Sequence, residues 1–264
     1  MWINNINPVL LQLGPLQIRP YGIVYVLGFF FGIWWLHYLR RKDKINISKE
    51  QIWDFAFYLM LGVLIGSRLG LLFWYPQTYL FHPLNLFKFW EGGMSFHGGF
   101  LGVVLAGWLY CRKFKINFWK MADLMSFPTL LFLAIGRVAN FLNGELVGRV
   151  WNGKGCVVFP SYDNLCRHPS TLYAFGKRLL ISFYLLWLIF WQEFKPGFIF
   201  WNFVFFEGLG RILVDFFRED TLYFGFSIGQ WLSLVMVIVA VFVFLKYYKE
   251  DWVKILKINK KQKE

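Results

Sequence analysis

Apolar positions in this chain gather into runs of about 20 residues, the length a helix needs to cross the roughly 30 Å hydrocarbon core of a bilayer. Seven such runs cover approximately residues 21–39, 52–75, 94–111, 121–142, 171–191, 197–216 and 226–246. None shows the two-residue alternation of a barrel strand. A lipid-facing backbone has no water to bond with, so each run is predicted to be a transmembrane helix. The expected fold is an all-α integral membrane protein, a single polytopic domain over residues 1–264. Two connections are long, 76–93 and 143–170, and loops of that length are often functional. The tail 247–264 ends in the lysine-rich "KILKINKKQKE" and reads as solvated.

Charge orients these helices. Lys and Arg cluster after the first run ("RRKDK"), the third ("CRKFK"), the fifth ("EFK") and in the tail. The positive-inside rule then puts the amino terminus outside and the carboxyl terminus in the cytoplasm, so 143–170 is a small outward-facing region. Composition agrees: 58% hydrophobic and 22% aromatic content exclude an ordinary water-soluble domain. An excess of 28 Lys+Arg over 15 Asp+Glu would suit a nucleic-acid partner, but the basic blocks lie between apolar runs and read as topology signals. No nucleic-acid partner is expected. The first 18 residues hold two prolines and no basic leader, so no cleavable signal peptide is expected. Cys111 belongs to the inner face; Cys156 and Cys166 share the outer loop, either as a disulfide or as two thiols.

Ionisable groups inside a membrane run are costly and tend to mark function. Arg68 lies beside Gly62, Gly66 and Gly70, a spacing that admits a second helix at close range, and is read as an inter-helix tie. In the fourth run Arg137 and Asn140 share a face, with Asn143, Glu145 and Arg149 following where the helix reaches the surface. One structural tie needs fewer polar groups than that. In the sixth, Glu207, Arg211 and Asp215 are spaced by four, a stripe that can hold a guanidinium between two carboxylates or present its planar fork to a phosphate. His97 stands among glycines 92, 93, 98, 99 and 102, which strip side chains from around it and are read as access for a bulky ligand. With an unperturbed pKa of about 6.5 it is a candidate general base. Tyr21, by position alone, is an interfacial anchor. The histidines are scattered without ligand spacing, so neither metal nor other cofactor is expected.

Five stretches, "RPYGIVY", "EGGMSFHGGFLG", "GRVANFLNGELVGR", "RHPSTLY" and "GLGRILVDFFRED", occur in that order from the first run to the end of the sixth. Together they resemble the prolipoprotein diacylglyceryl transferase family of the bacterial inner membrane. The resemblance implies a multi-pass enzyme whose partners are phosphatidylglycerol, preprolipoprotein signal peptides with a lipobox cysteine, and membrane lipids. The diacylglyceryl group would pass to the cysteine sulfur, giving a thioether and glycerol phosphate, the first step of lipoprotein maturation. Catalytic roles would fall to His97, Arg137 and Arg211, and substrate binding to Tyr21, Arg137, Asn140, Asn143, Glu145, Gly148 and Arg211. That assignment reverses the anchor reading of Tyr21, and it has Gly148 bring the loop backbone near the lipid headgroup. Three positions depart from the family pattern: Ala139 for a glycine, Ala174 for a glutamate and Glu207 for a tyrosine. A carboxylate at 207 either competes with phosphate for Arg211 or faces another basic group. The rival readings are a transporter whose polar stripe lines a pathway, and a relative that binds prolipoprotein without turnover.

Overall fold

The computed structural model describes residues 2–13, 16–81, 84–85 and 95–261. Each of the seven expected runs is a helix: α1 (Pro20–Arg41), α2 (Lys49–Trp74), α4 (Phe96–Lys113), α5 (Phe118–Leu142), α6 (Ser170–Trp191), α7 (Phe198–Asp215) and α8 (Ile228–Tyr247). The short α3 (Pro76–Phe81) and the tail helix α9 (Lys249–Lys261) fall where no helix was expected. Among the described residues, α1, α2, α5, α6 and α8 are long and apolar enough to cross a membrane. α4 has 18 residues and ends in Arg112 and Lys113, and α7 carries Glu207, Arg211 and Asp215. Sequence chemistry sets the helix starts. Ser48 and Ser227 each begin a helix with a reciprocal capping box, to Gln51 and Gln230. Gly197, before α7, has no side chain to cap with, and the Asp123 carboxylate of α5 accepts from the Gly197 and Phe200 amides at 2.7 Å instead.

The chain forms two compact units, one of Phe29–Met121 and one of Met1–Gly28 with Ala122–Glu264. Within the first, α2 and α4 pack backbone against backbone. A Cβ added at Gly62 would fall on Gly102 and Ala106, one at Gly66 on Gly98 and Gly102, and one at Gly70 on Ser95 and Gly98. The glycine ridge therefore admits a second helix, as its spacing predicted. Its partners correct a second expectation: Gly98 and Gly102 receive α2, so the space they leave is filled by helix packing and not by a ligand. Arg68 is buried on α2. The backbone of His97 lies in the first turn of α4, while its side chain, like all of Glu91–Met94, lies outside the described residues.

In the second unit, the loop 143–169 folds over the end of α5. Strand β4 (Val157–Val158) pairs in parallel with β1 (Trp2–Ile3) and antiparallel with β5 (Cys166–Arg167). Hairpins β2–β3 (Leu11–Leu13, Leu16–Ile18) and β6–β7 (Leu222–Tyr223, Phe226–Ser227) are separate. Phe141 at the end of α5 packs with Val147, Val157 and Phe159 in a small core, and Trp2 stacks on Phe141 at 5.2 Å. Cys156 and Cys166 are joined as a disulfide, which closes the loop across β4 and β5. Arg167 ties this fold together. Its guanidinium pairs with Asp163 and Glu219 and donates to the Gly148 carbonyl at 2.9 Å.

Candidate active site

The polar residues at the end of α5 and just beyond it form a relay. Arg137 Nη1 donates to Asn140 Oδ1 at 3.2 Å, Asn140 Nδ2 donates to Glu145 Oε2 at 2.7 Å, and Asn143 Nδ2 donates to Glu145 Oε1 at 3.1 Å. The helical turn puts Arg137 and Asn140 on one face. The loop then returns Glu145 to the helix end, where its amide also donates to the Asn140 carbonyl at 3.0 Å. Asn140 is buried and held on both sides, so its amide fixes how Arg137 is presented. Tyr21 reaches the same turn from α1: a Cβ at Gly136, next to Arg137, would sit 4.0 Å from its ring.

Arg137 and Arg211 line one pocket together with Lys177, Arg178 and Arg218. Arg211 keeps 44% of its side chain exposed while its Nε lies 3.4 Å from the buried Asp215 carboxylate. The room for this comes from Gly229 in the first turn of α8, where a Cβ would meet Arg211 Nη2 at 2.6 Å and Asp215 Oδ2 at 2.7 Å. Arg218 Nη1 lies 3.7 Å from the other Asp215 oxygen. Five basic side chains around one opening, with Asp215 as the carboxylate that lines it, give the pocket a field that favours anions.

Glu207 corrects the expected stripe. Its carboxylate turns away from Arg211 and accepts from Lys177 Nζ at 2.7 Å and from Arg178, both on α6. Arg178 also donates to the Leu133 carbonyl of α5 at 3.2 Å. The departure at 207 therefore answers two basic residues of α6 and leaves Arg211 open. Lys177, Arg178 and Arg218 were not singled out from sequence. Lys177 and Arg178 stand inside an apolar run, and that signal was present all along.

Gly148 closes the rear of the site. A Cβ there would fall on the His168 carbonyl and side chain and lie 2.8 Å from the Phe217 carbonyl, so only glycine lets the loop cross between these two segments. His168 stacks on Trp151 at 4.3 Å and its Nδ1 lies 3.2 Å from the Tyr173 hydroxyl. Burial pushes its pKa below the usual imidazole value, which favours the neutral ring. The structure thus brings together Tyr21, Arg137, Asn140, Asn143, Glu145 and Arg211, sets Gly148 behind them, and leaves the His97 side chain outside the described residues.

A helical protein with five helices long and apolar enough to cross a bilayer belongs among the multi-pass membrane proteins. The particular family is shown by comparison with known proteins. The family model for prolipoprotein diacylglyceryl transferase matches residues 8–246, and the chain belongs to that family. A relative from Legionella pneumophila (strain Paris), named phosphatidylglycerol–prolipoprotein diacylglyceryl transferase, is 40% identical over 247 residues, covering 90% of this chain and 96% of the relative. One of the same name from Rickettsia akari (strain Hartford) is 39% identical over 249 residues, covering 91% and 96%.

Proposed function

We propose that the protein transfers the diacylglyceryl group of phosphatidylglycerol to the lipobox cysteine of a preprolipoprotein. It would act as one polytopic domain of the bacterial inner membrane. In this reading α4 and α7 cross the bilayer with the five longer helices, the amino terminus faces outward and the tail is cytoplasmic, as the Lys and Arg blocks between the helices suggest. The observation that carries the proposal is the convergence of Arg137 and Arg211 on one pocket in a member of this family.

The reaction needs two things. A cysteine thiol with an unperturbed pKa of about 8.5 must lose its proton before its sulfur attacks the glycerol carbon that bears the phosphate. The bond from that carbon to the phosphate oxygen then breaks, and glycerol phosphate leaves with an added negative charge. Cations fixed where this charge grows stabilise the transition state more than the ground state. Arg211, half exposed beside Asp215, and Arg137, aimed by Asn140, suit that role. Glu145 and Asn143 act behind them by holding Asn140, while Tyr21 borders the lipid headgroup. His97, at the start of α4, serves as the base.

Transfer of labelled diacylglyceryl from phosphatidylglycerol to a lipobox peptide by the purified protein tests this reading. Activity is expected in the wild type, with loss in Arg211→Ala and in His97→Ala. A folded wild type that binds both substrates without turnover would instead identify the relative that binds and does not transfer.

A further inference from the structure

The turn of the β6–β7 hairpin places an aromatic residue in an unfavourable backbone conformation. Phe224 has φ +51° and Gly225 has φ +84°. Two successive residues of positive φ are the geometry of a type I′ hairpin turn, which favours Asn, Asp or Gly at its first central position. A bulky side chain there is strained, and strain of this kind persists where something else repays it. No repayment is found inside the chain, because Phe224 is 97% exposed. Leu222, Tyr223, Phe226, Phe216 and Phe217 beside it are exposed as well.

The turn is held in place. Trp231 Nε1 on α8 donates to the Tyr223 carbonyl at 2.9 Å, and the Phe226 ring meets Trp231 edge to face at 5.4 Å. At its stem the hairpin joins the basic pocket, where Ser227 Oγ donates to Asp215 at 3.4 Å and Gly148 bridges Arg218. α8 follows the hairpin directly and carries exposed apolar residues of its own. There Ile228, Leu232, Val235 and Val239 form an exposed stripe at helical spacing on a helix apolar enough to cross a membrane. A stripe of that kind on such a helix faces acyl chains, and Phe224 extends it past the helix end.

We propose that Phe224 is a membrane anchor: the tip of the β6–β7 hairpin enters the boundary between headgroups and acyl chains, and so sets the depth of the basic pocket relative to the lipid phosphates. An aromatic side chain at this level gains by burying its ring where neighbouring carbonyls stay wet.

The test uses the full chain in vesicles of phosphatidylethanolamine and phosphatidylglycerol, with the photo-crosslinking residue p-benzoylphenylalanine at position 224 or, for comparison, at the exposed outer-loop position 162. Irradiation is expected to give adducts of lipid mass at 224 and none at 162. Adducts at 224 to a lipobox peptide alone, or no lipid adduct at all, would overturn the anchor. Phe224→Asn supplies the second arm, since Asn accepts the left-handed turn. Its thermal midpoint in detergent is expected to stay level or rise, while KM for vesicle-borne phosphatidylglycerol rises about fivefold with kcat kept within about twofold. A lowered midpoint in detergent would assign Phe224 to packing within the chain and sink the proposal. The lipid adduct and the thermal midpoint need no turnover, so those two readings stand or fall separately from transferase activity.

Discussion

Arg167 and Arg137 sit in the same unit, and each is held by hydrogen bonds, but their partners differ in kind. Arg167 is buried in the loop between α5 and α6, with Asp163 and Glu219 taking its charge and the Gly148 carbonyl taking a further N–H. Asp163 in turn has its pKa lowered, chiefly by its hydrogen bonds from Arg167, and the Arg167 pKa is raised by the same pairing. Arg137 is aimed by a neutral amide, Asn140, into a pocket it shares with four other cations. A guanidinium whose charge is met inside the chain holds loops together. One that is oriented by a neutral group keeps its field for a ligand. The distinction separates these two arginines by task, and mutation can break it.

The largest effect is expected at Arg137. Arg137→Ala should lower the transfer rate by about 10³-fold, roughly 4 kcal/mol of transition-state stabilisation, while the thermal midpoint moves little. A rate near wild type would show that orientation by a neutral group does not mark the working cations. Glu207 gives the opposite outcome. It is buried between Lys177 and Arg178, so Glu207→Gln leaves two cations facing an amide and should cost about 3 kcal/mol of stability. Adding Arg178→Met should recover part of that loss by removing one of the uncompensated charges. Thermal unfolding in detergent of the single and double variants measures both. A Glu207→Gln protein as stable as wild type would mean that the α6 cations need no carboxylate.

Much of this was legible in sequence, for a physical reason. Lipid compels helices, so the length of an apolar run fixes an element, and the seven runs became seven helices with ends shifted by a few residues. The pairing of Arg137 with Asn140 followed from helical spacing, while Asn143 and Glu145 stood just past the helix end, where the loop turns them back. What spacing cannot say is which way a side chain turns when another helix arrives. Glu207 is four residues from Arg211 yet bonds to α6, and Gly98 and Gly102 proved to be packing surface for α2. Gly229, which makes room for Arg211, is far from it along the chain and carried no signal.

In the loop between α5 and α6 the effects shrink. Arg167→Ala should cost about 2 kcal/mol, because its partners Asp163 and Glu219 are partly exposed and can turn to water, leaving mainly the Gly148 carbonyl and the lost packing. Loss of transfer should follow loss of fold, and activity measured below the new midpoint should stay close to wild type. A large fall in rate with the fold intact would make Arg167 part of the anion-binding machinery and erase the comparison.

The smallest effect is one of pH. Asp163 has a lowered pKa in the folded protein, so its contribution is fully present above the unfolded value of about 3.9 and is lost as pH falls through the lower folded value. Because the carboxylate is partly open to water, the change should be slight. It should appear as faster hydrogen exchange of the Trp151 and His168 amides, which bond across the loop to Cys166 and Arg149, before the helices respond. Asp163→Asn should remove that acid step while leaving the exchange of α5 unchanged. If acid loosened α5 at the same pH, Arg167 would be clamping the site itself, and the division between the two arginines would fail.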